Sequence, residues 1–239
     1  MAFFDRGKQF PSLIVTNINS SIGAVLFPKM AKEQDSIERV KNTTRYSIRF
    51  SSYIMSPIMF GLASVSEPLV RIILTEKWIG CVPMMQWFCL VFLFMPIHTA
   101  NMQALKAIGR SDTFLKLEII KKTIELLILL MVVWISVDAI IINMAILTTL
   151  FTAVNAYPNR KLLNYSYEEQ IKDILPSVAM SFIMFVIILA FNYFFVWEDW
   201  ITIFADTVIG TCIYTGLSII TNNNEYKYII NILLRRNDI

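Results

Sequence analysis

Histidine occurs once in 239 residues (His98), and cysteine three times (Cys81, Cys89, Cys212). Four residues so placed, with the cysteines in apolar surroundings, do not make a His/Cys zinc cage; the cysteines read as small hydrophobes. Glycine is also rare, at seven residues. Neither G-x-G-x-x-G nor G-x-x-x-x-G-K-[ST] occurs, so no phosphate-cradling loop is encoded. Charged residues make up only 16% of the chain, against a usual ~25% in soluble domains. The net charge of +3 is too small to argue for nucleic acid. No catalytic constellation, metal site or cofactor is expected.

What the chain has instead is apolar mass. Hydrophobic residues account for 56% of it, above the ~45–50% of soluble domains. A bilayer-spanning helix needs ~20 mostly apolar residues, so this stock fills about seven spans. Seven stretches can be placed: Ser12–Met30, Tyr46–Leu74, Val82–Leu105, Thr123–Ser136, Val137–Tyr157, Ile174–Val196 and Trp200–Ile220. The fourth is expected to extend earlier, through Phe114, Leu117, Glu118 and Lys121. It joins the fifth in a tight hairpin around Val137–Asp138. Gly109 suits a left-handed helix end, Ser111 or Asp112 a helix start, and Ser166–Glu169 has the spacing of a capping box. Pro96, next to His98, is the expected kink. Ile37, Val40, Thr44 and Ile48 predict the apolar edge of an interfacial helix, with Asp35 and Arg39 as an i, i+4 pair.

The basic residues orient the chain. Seventeen of the 21 lysines and arginines fall between spans one and two, three and four, five and six, and after seven. Only Arg6, Lys8, Arg71 and Lys77 fall on the other side. The positive-inside rule therefore predicts a cytoplasmic C-terminus and an outside N-terminus. An outside N-terminus needs a signal or an earlier span to deliver it, and Met1–Pro11 has the character of neither. The chain reads as the C-terminal part of a larger transporter.

The segment Phe3-Phe4-Asp5-Arg6-Gly7-Lys8-Gln9-Phe10-Pro11, followed by Leu13 to Gly23, resembles bacterial polysaccharide-export flippases. These are the O-unit or lipid-linked oligosaccharide translocases of the MATE-like superfamily. Supporting blocks are Glu67-Pro68-Leu69-Val70-Arg71, Pro96 to Asn101, Gly109-Arg110-Ser111-Asp112 and Pro158 to Leu163. Asp5 stands where the family's opening block has Asn. The resemblance implies about fourteen helices in the complete protein, two six-helix lobes around a central cavity and two helices at the end. This chain would hold the last seven, as five second-lobe spans in residues 1–173 and two terminal helices with a cytoplasmic tail in residues 174–239. It also implies transfer of a polyprenyl-diphosphate oligosaccharide across a bacterial inner membrane for lipopolysaccharide, O-antigen or capsule. Membrane lipids, and either the missing half or polysaccharide-assembly proteins, would be its partners.

Such cargo requires hydroxyls, amides and cations inside the membrane. Asn17, Ser20, Ser21 and Ala24 make one small, polar face of span one; Thr148, Thr152 and Asn155 make another on span five. His98 and Asn101 lie one turn apart on span three. Small polar faces also serve plain helix packing. Arg71 suits a pyrophosphate leaving outward, although an i, i+4 pair with Glu67 is its default. Asp206, two turns inside span seven, is a candidate for a coupling ion, set against a plain near-interface acid. The expected architecture is all-α and polytopic, and the expected function is flipping without catalysis. The alternatives are a cation-coupled drug or small-molecule exporter of the same superfamily and a non-transporting seven-helix protein. A seven-helix receptor fits poorly: the last span has no lysine, and neither D-R-Y nor N-P-x-x-Y occurs.

Overall fold

A computed structural model describes residues 2–134, 137–195 and 197–233. Among these the regular structure is helical throughout: α1 (Ala2–Lys32), α2 (Ile37–Ser64), α3 (Ser66–Leu74), a short 3-10 helix (Glu76–Cys81), α4 (Val82–Leu93), α5 (Met95–Ala107), α6 (Ser111–Val132), α7 (Val137–Leu162), α8 (Tyr167–Phe194), α9 (Asp199–Ile220) and α10 (Asn224–Leu233). Among the described residues four segments are long and apolar enough to cross a bilayer: α1, Glu76–Ala107 through α4 and α5, α8, and α9. The α2–α3 pair makes a fifth, bent by 68° at its break. The protein is therefore an all-α, multi-pass membrane protein. The other two expected spans correspond to α6 and α7, which pack on each other and, through α7, on α4 and α5. The first half of α6 carries Asp112, Lys116, Glu118, Lys121 and Lys122, so its apolar length is confined to its second half.

Local signals act mostly where the sequence puts them. Gly109 ends α5 with φ +75°, and Ser166 and Glu169 close a complete capping box at the start of α8. The third span breaks at Phe94, placing Pro96 in the first turn of α5, where its missing N–H costs nothing. Four expectations shift. The N-cap of α6 is Arg110, without a side-chain cap bond, and Asp112 sits in the first turn, where it accepts from Arg110. Arg110 holds that carboxyl below the usual carboxylate range. The α6–α7 link precedes Val137, because α7 already begins there. Asp35 lies in the turn before α2, so the helical pair with Arg39 does not form; instead Thr43 donates to Glu33 at 2.7 Å. Finally, Val40, Thr44 and Ile48 belong to one continuous α2 and are fully buried, facing protein and not a membrane surface. Ser136, Val196, Arg235 and Arg236 lie outside the described residues.

The core forms where α1, α2, α4 and α8 converge. Met55, Met59, Phe88, Phe92, Met184 and Ile188 are its main occupants. Gly7 lets α1 approach closely: a Cβ there would stand 2.9 Å from Met84 Cβ and 3.0 Å from the Met85 nitrogen. Outside this core, α6, α8 and α9 expose rows of leucine, isoleucine and phenylalanine, including Leu126, Leu130, Ile183 and Phe204. Such rows are uneconomical in water and natural against lipid tails.

The two ends differ in charge. At one end Phe3 packs edge-on against Trp78, the Arg6 guanidinium lies 5.2 Å from that indole, and Arg71 reaches Asp199 at 3.7 Å. These contacts gather the start of α1, the α3 region and the start of α9, which hold the few basic residues of the sparse side. At the other end α2 carries a ladder at i, i+4 and i+8: Lys41 to Glu169 (3.2 Å), Arg45 to Asp173 (2.7 Å) and Arg49 to Glu225 (2.7 Å). Tyr165 donates to Asp173 at 2.9 Å, and burial followed by that carboxylate pushes its phenol up, keeping it a donor. This ladder fastens α8 and α10 to α2, so three cations of the basic run between spans one and two serve protein contacts.

Candidate functional site

On α1 the amide and hydroxyls form a stripe that stays open. Asn17, Ser20, Ser21 and Ala24 are all exposed. Their hydrogen bonds remain within the helix: Asn17 Nδ2 donates to the Leu13 carbonyl, and Ser20 and Ser21 donate to that of Asn17. Back-bonding of this kind satisfies a hydroxyl donor while leaving its oxygen free to accept from another molecule. Asn17 and Ser21 line a groove of about 600 Å³ between α1 and α2, whose other wall includes Ser47, Ser51 and Tyr46. Tyr228 of α10 closes its basic end, with Tyr46 and Phe50 against its ring at 5.6 and 5.9 Å.

The second set of candidates has a different setting. Asn101 and Asn155 are fully buried, together with Asn159. Asn159 Nδ2 donates to both the carbonyl oxygen (3.1 Å) and Oδ1 (2.7 Å) of Asn101, and Asn101 Nδ2 donates to Gln170 Oε1 at 3.0 Å. His98 Nδ1 contacts the Asn155 amide. One cluster thus ties α5, α7 and α8 together, leaving only the amide oxygens of Asn155 and Asn159 without a partner. Thr152 donates to the Thr148 carbonyl at 2.9 Å and lines a smaller cavity of about 170 Å³ beside Gln170. Asn159 and Gln170 escaped the sequence reading. Asn159 does fall i, i+4 from Asn155, a spacing that could have found it, whereas Gln170 carries no local signal.

The remaining two candidates stand apart. Arg71 donates to Glu67 at 2.6 Å, as its spacing predicts, and also has Glu76 at 3.5 Å and Asp199 at 3.7 Å. Its guanidinium is committed to three carboxylates. Asp206 is 2% exposed and accepts one hydrogen bond, from Asn192 at 2.8 Å. Among the described residues no group of three or more His, Cys, Asp or Glu is arranged to hold a metal ion.

Comparison with known proteins fits this architecture. Residues 1–83 match the family described as polysaccharide biosynthesis protein. The teichuronic acid biosynthesis protein TuaB of Bacillus subtilis is 24% identical over 112 residues, 47% of this chain and 23% of that protein. The lipopolysaccharide biosynthesis protein WzxC of Escherichia coli is 31% identical over 104 residues, 44% of this chain and 21% of that protein. In structure the chain is similar to the lipid II flippase MurJ in an inward closed conformation, with a TM-score of 0.76 at 16% identity. That match covers 96% of this chain and 48% of MurJ, so the fold is that of about half of such a flippase. The resemblance to polysaccharide flippases, read first from Phe3 onward, is borne out.

Proposed function

We propose that this chain forms one wall of a translocation path that flips lipid-linked oligosaccharide across the bacterial inner membrane during cell-surface polysaccharide assembly. One observation carries the reading: Asn17 and Ser21 of the exposed α1 stripe open onto a groove of about 600 Å³ in a bundle whose other exposed surfaces are largely apolar. Along this mainly apolar groove Asn17, Ser21, Ser47 and Ser51 give sugar hydroxyls points to hydrogen-bond, with Ser20 on the adjoining exposed face, while Ile18, Ile22 and Ile54 suit a lipid tail. Matches to polysaccharide biosynthesis proteins and to a lipid flippase fold support the cargo class. On this reading the chain is a transporter and not an enzyme, and residues 1–173 form the lobe to which the helices of residues 174–239 are added.

The basic ladder end faces the cytoplasm and the Arg6–Trp78 end faces outward, in keeping with the distribution of lysine and arginine. Cargo would load where the anionic leaflet and the cations of α1, α2 and α6 meet, and leave past Arg71. There a pyrophosphate would compete with Glu67, Glu76 and Asp199 for the guanidinium. His98, Asn101, Thr148, Thr152 and Asn155 lie deeper, as the support of the path on its α5–α7 side.

The test is export in cells, with protein level monitored. Asn17→Leu combined with Ser21→Leu places two branched side chains in the groove without disturbing the core. Loss of surface polysaccharide at normal protein level is expected. Full export by the double variant would remove the α1 stripe from the path. Arg71→Ala exporting at the wild-type level would remove Arg71. Cysteine-accessibility labelling at Lys77→Cys and Lys116→Cys tests orientation: the first is expected to react from outside, the second only after the membrane is opened.

A further inference from the structure

Asp206 is an acid inside the apolar helix α9, and its surroundings are specific. It lies seven residues, roughly 10 Å, inside the start of α9. Its residue is 2% exposed, yet only Oδ2 has a partner, the Asn192 amide at 2.8 Å; Oδ1 has none. The side chain lines a cavity of about 440 Å³ formed with Pro57, Gly61, Val65, Ile188 and Tyr214. An ionised carboxylate there would forgo nearly all its hydration in exchange for one neutral hydrogen bond, an arrangement that burial strongly disfavours.

Among the described residues no charge nearby compensates. On α3, Arg71 faces Asp199 at the end of α9, and Glu67 faces Arg71. On α2 the nearest titratable group is Tyr53, bonded to Ser218 nearer the opposite end of α9, and on α10 Glu225 is held by Arg49. On α8, Tyr193 is exposed, and on α9 itself the Tyr214 hydroxyl donates to the Tyr53 carbonyl.

We infer that Asp206 is a proton-binding site within the membrane: its orphan Oδ1, buried on the α2–α8–α9 cavity, takes up and releases a proton, with Asn192 holding the carboxyl in place. The cavity has room for the few water molecules that would relay the proton. Such a site gives the bundle a group whose charge, and hence α8–α9 packing, follows the proton activity on one side of the membrane. This holds whether or not the α1 furrow carries oligosaccharide.

Dicyclohexylcarbodiimide tests it on the whole chain in membranes. The reagent adds to a protonated carboxyl: the acid proton moves to a carbodiimide nitrogen and the carboxyl oxygen bonds to the central carbon. The adduct then rearranges to a stable N-acylurea without losing an atom. Mass spectrometry of the peptide holding Asp206 is expected to show modification at pH 7 at least about tenfold above that of the exposed Glu67 and Glu76. It should fall as pH rises, and in Asn192→Leu it should persist to higher pH because the bond favouring the charged form is gone. No modification of Asp206 between pH 5 and 7 would overturn the inference. So would protection by sodium ions that is the same at every pH, which would make the site a cation site. Because the label is mapped on the wild-type chain, neither result depends on a variant folding or on export.

Discussion

Two polar stripes that look alike in sequence have opposite settings in the bundle. Asn17, Ser20 and Ser21 on α1 stand open and bond only to their own helix, whereas Asn101, Asn155 and Asn159 are sealed between α5, α7 and α8. The chemistry of the side chains explains part of the difference. A hydroxyl can satisfy its donor on the preceding turn and leave the helix independent of its neighbours. A buried primary amide has two donors and two acceptor sites, and one helix cannot meet them all, so asparagines at an interface recruit partners across it. The sealed stripe thus fixes where helices sit, and the open one leaves a surface for something else to touch.

The largest effect is expected from breaking the sealed set. Asn159→Ala removes both bonds to Asn101 and leaves the buried Asn101 Oδ1 unpaired, while the Asn101 carbonyl keeps its bond within α5, so a loss of about 1–3 kcal/mol is expected. Thermal unfolding of the detergent-solubilised protein would show it, and an unchanged midpoint would mean that the cluster does not hold α5 to α7. Next comes the ladder. Arg45→Met strips the partner from Asp173, whose side chain is 5% exposed and then keeps only Tyr165. Because Arg45 is itself 39% exposed, the cost is expected at about 1–2 kcal/mol, below the value for a fully buried pair. Its readout is faster proteolysis ahead of α8; cleavage no faster than in wild type would refute the ladder's role.

A smaller effect tests the same end by pH. The Ser166 backbone N–H, and then Lys41, hold the Glu169 carboxyl below the usual range. A depressed carboxyl contributes stability above its unfolded value near 4.3, and that contribution is lost as pH falls through its lower folded value. Stability should therefore drop on acidification below about pH 4. Glu169→Gln keeps the capping box, since glutamine also serves at that position, but should flatten this part of the pH profile. An unchanged profile would show that the carboxyl contributes nothing there.

How much of this was legible beforehand depends on range. The helix ends at Gly109, Phe94 and Ser166 follow from residues within one turn, and the charge asymmetry between the two ends follows from counting. The ladder was invisible because Lys41, Arg45 and Arg49 find partners more than 120 residues away, on α8 and α10. Read alone, their spacing with Val40, Thr44 and Ile48 looks like an amphipathic helix on a membrane surface. The same is true of Gln170, which only the packing of α8 against α5 brings to Asn101. Even the contrast between the stripes was hidden, since sequence lists the polar groups of a helix but not which neighbour covers them.

The smallest expected effect on stability is also the sharpest test of that contrast. Ser20→Ala and Ser21→Ala each delete a hydroxyl whose only bond is to the Asn17 carbonyl at 2.9–3.0 Å, on an exposed face. The carbonyl keeps its helical role, no buried group is left unpaired, and alanine is the better helix former, so the change should stay within about 0.5 kcal/mol. If the stripe were packing surface against an unseen helix, alanine would serve nearly as well as serine and export would persist. If it hydrogen-bonds cargo, export should fall although the unfolding midpoint does not move, and the double variant should fall further than either single one. Separating the two measurements is what distinguishes a furrow from a seam. In the α5–α7 cluster the opposite pattern is expected, with stability and export declining together.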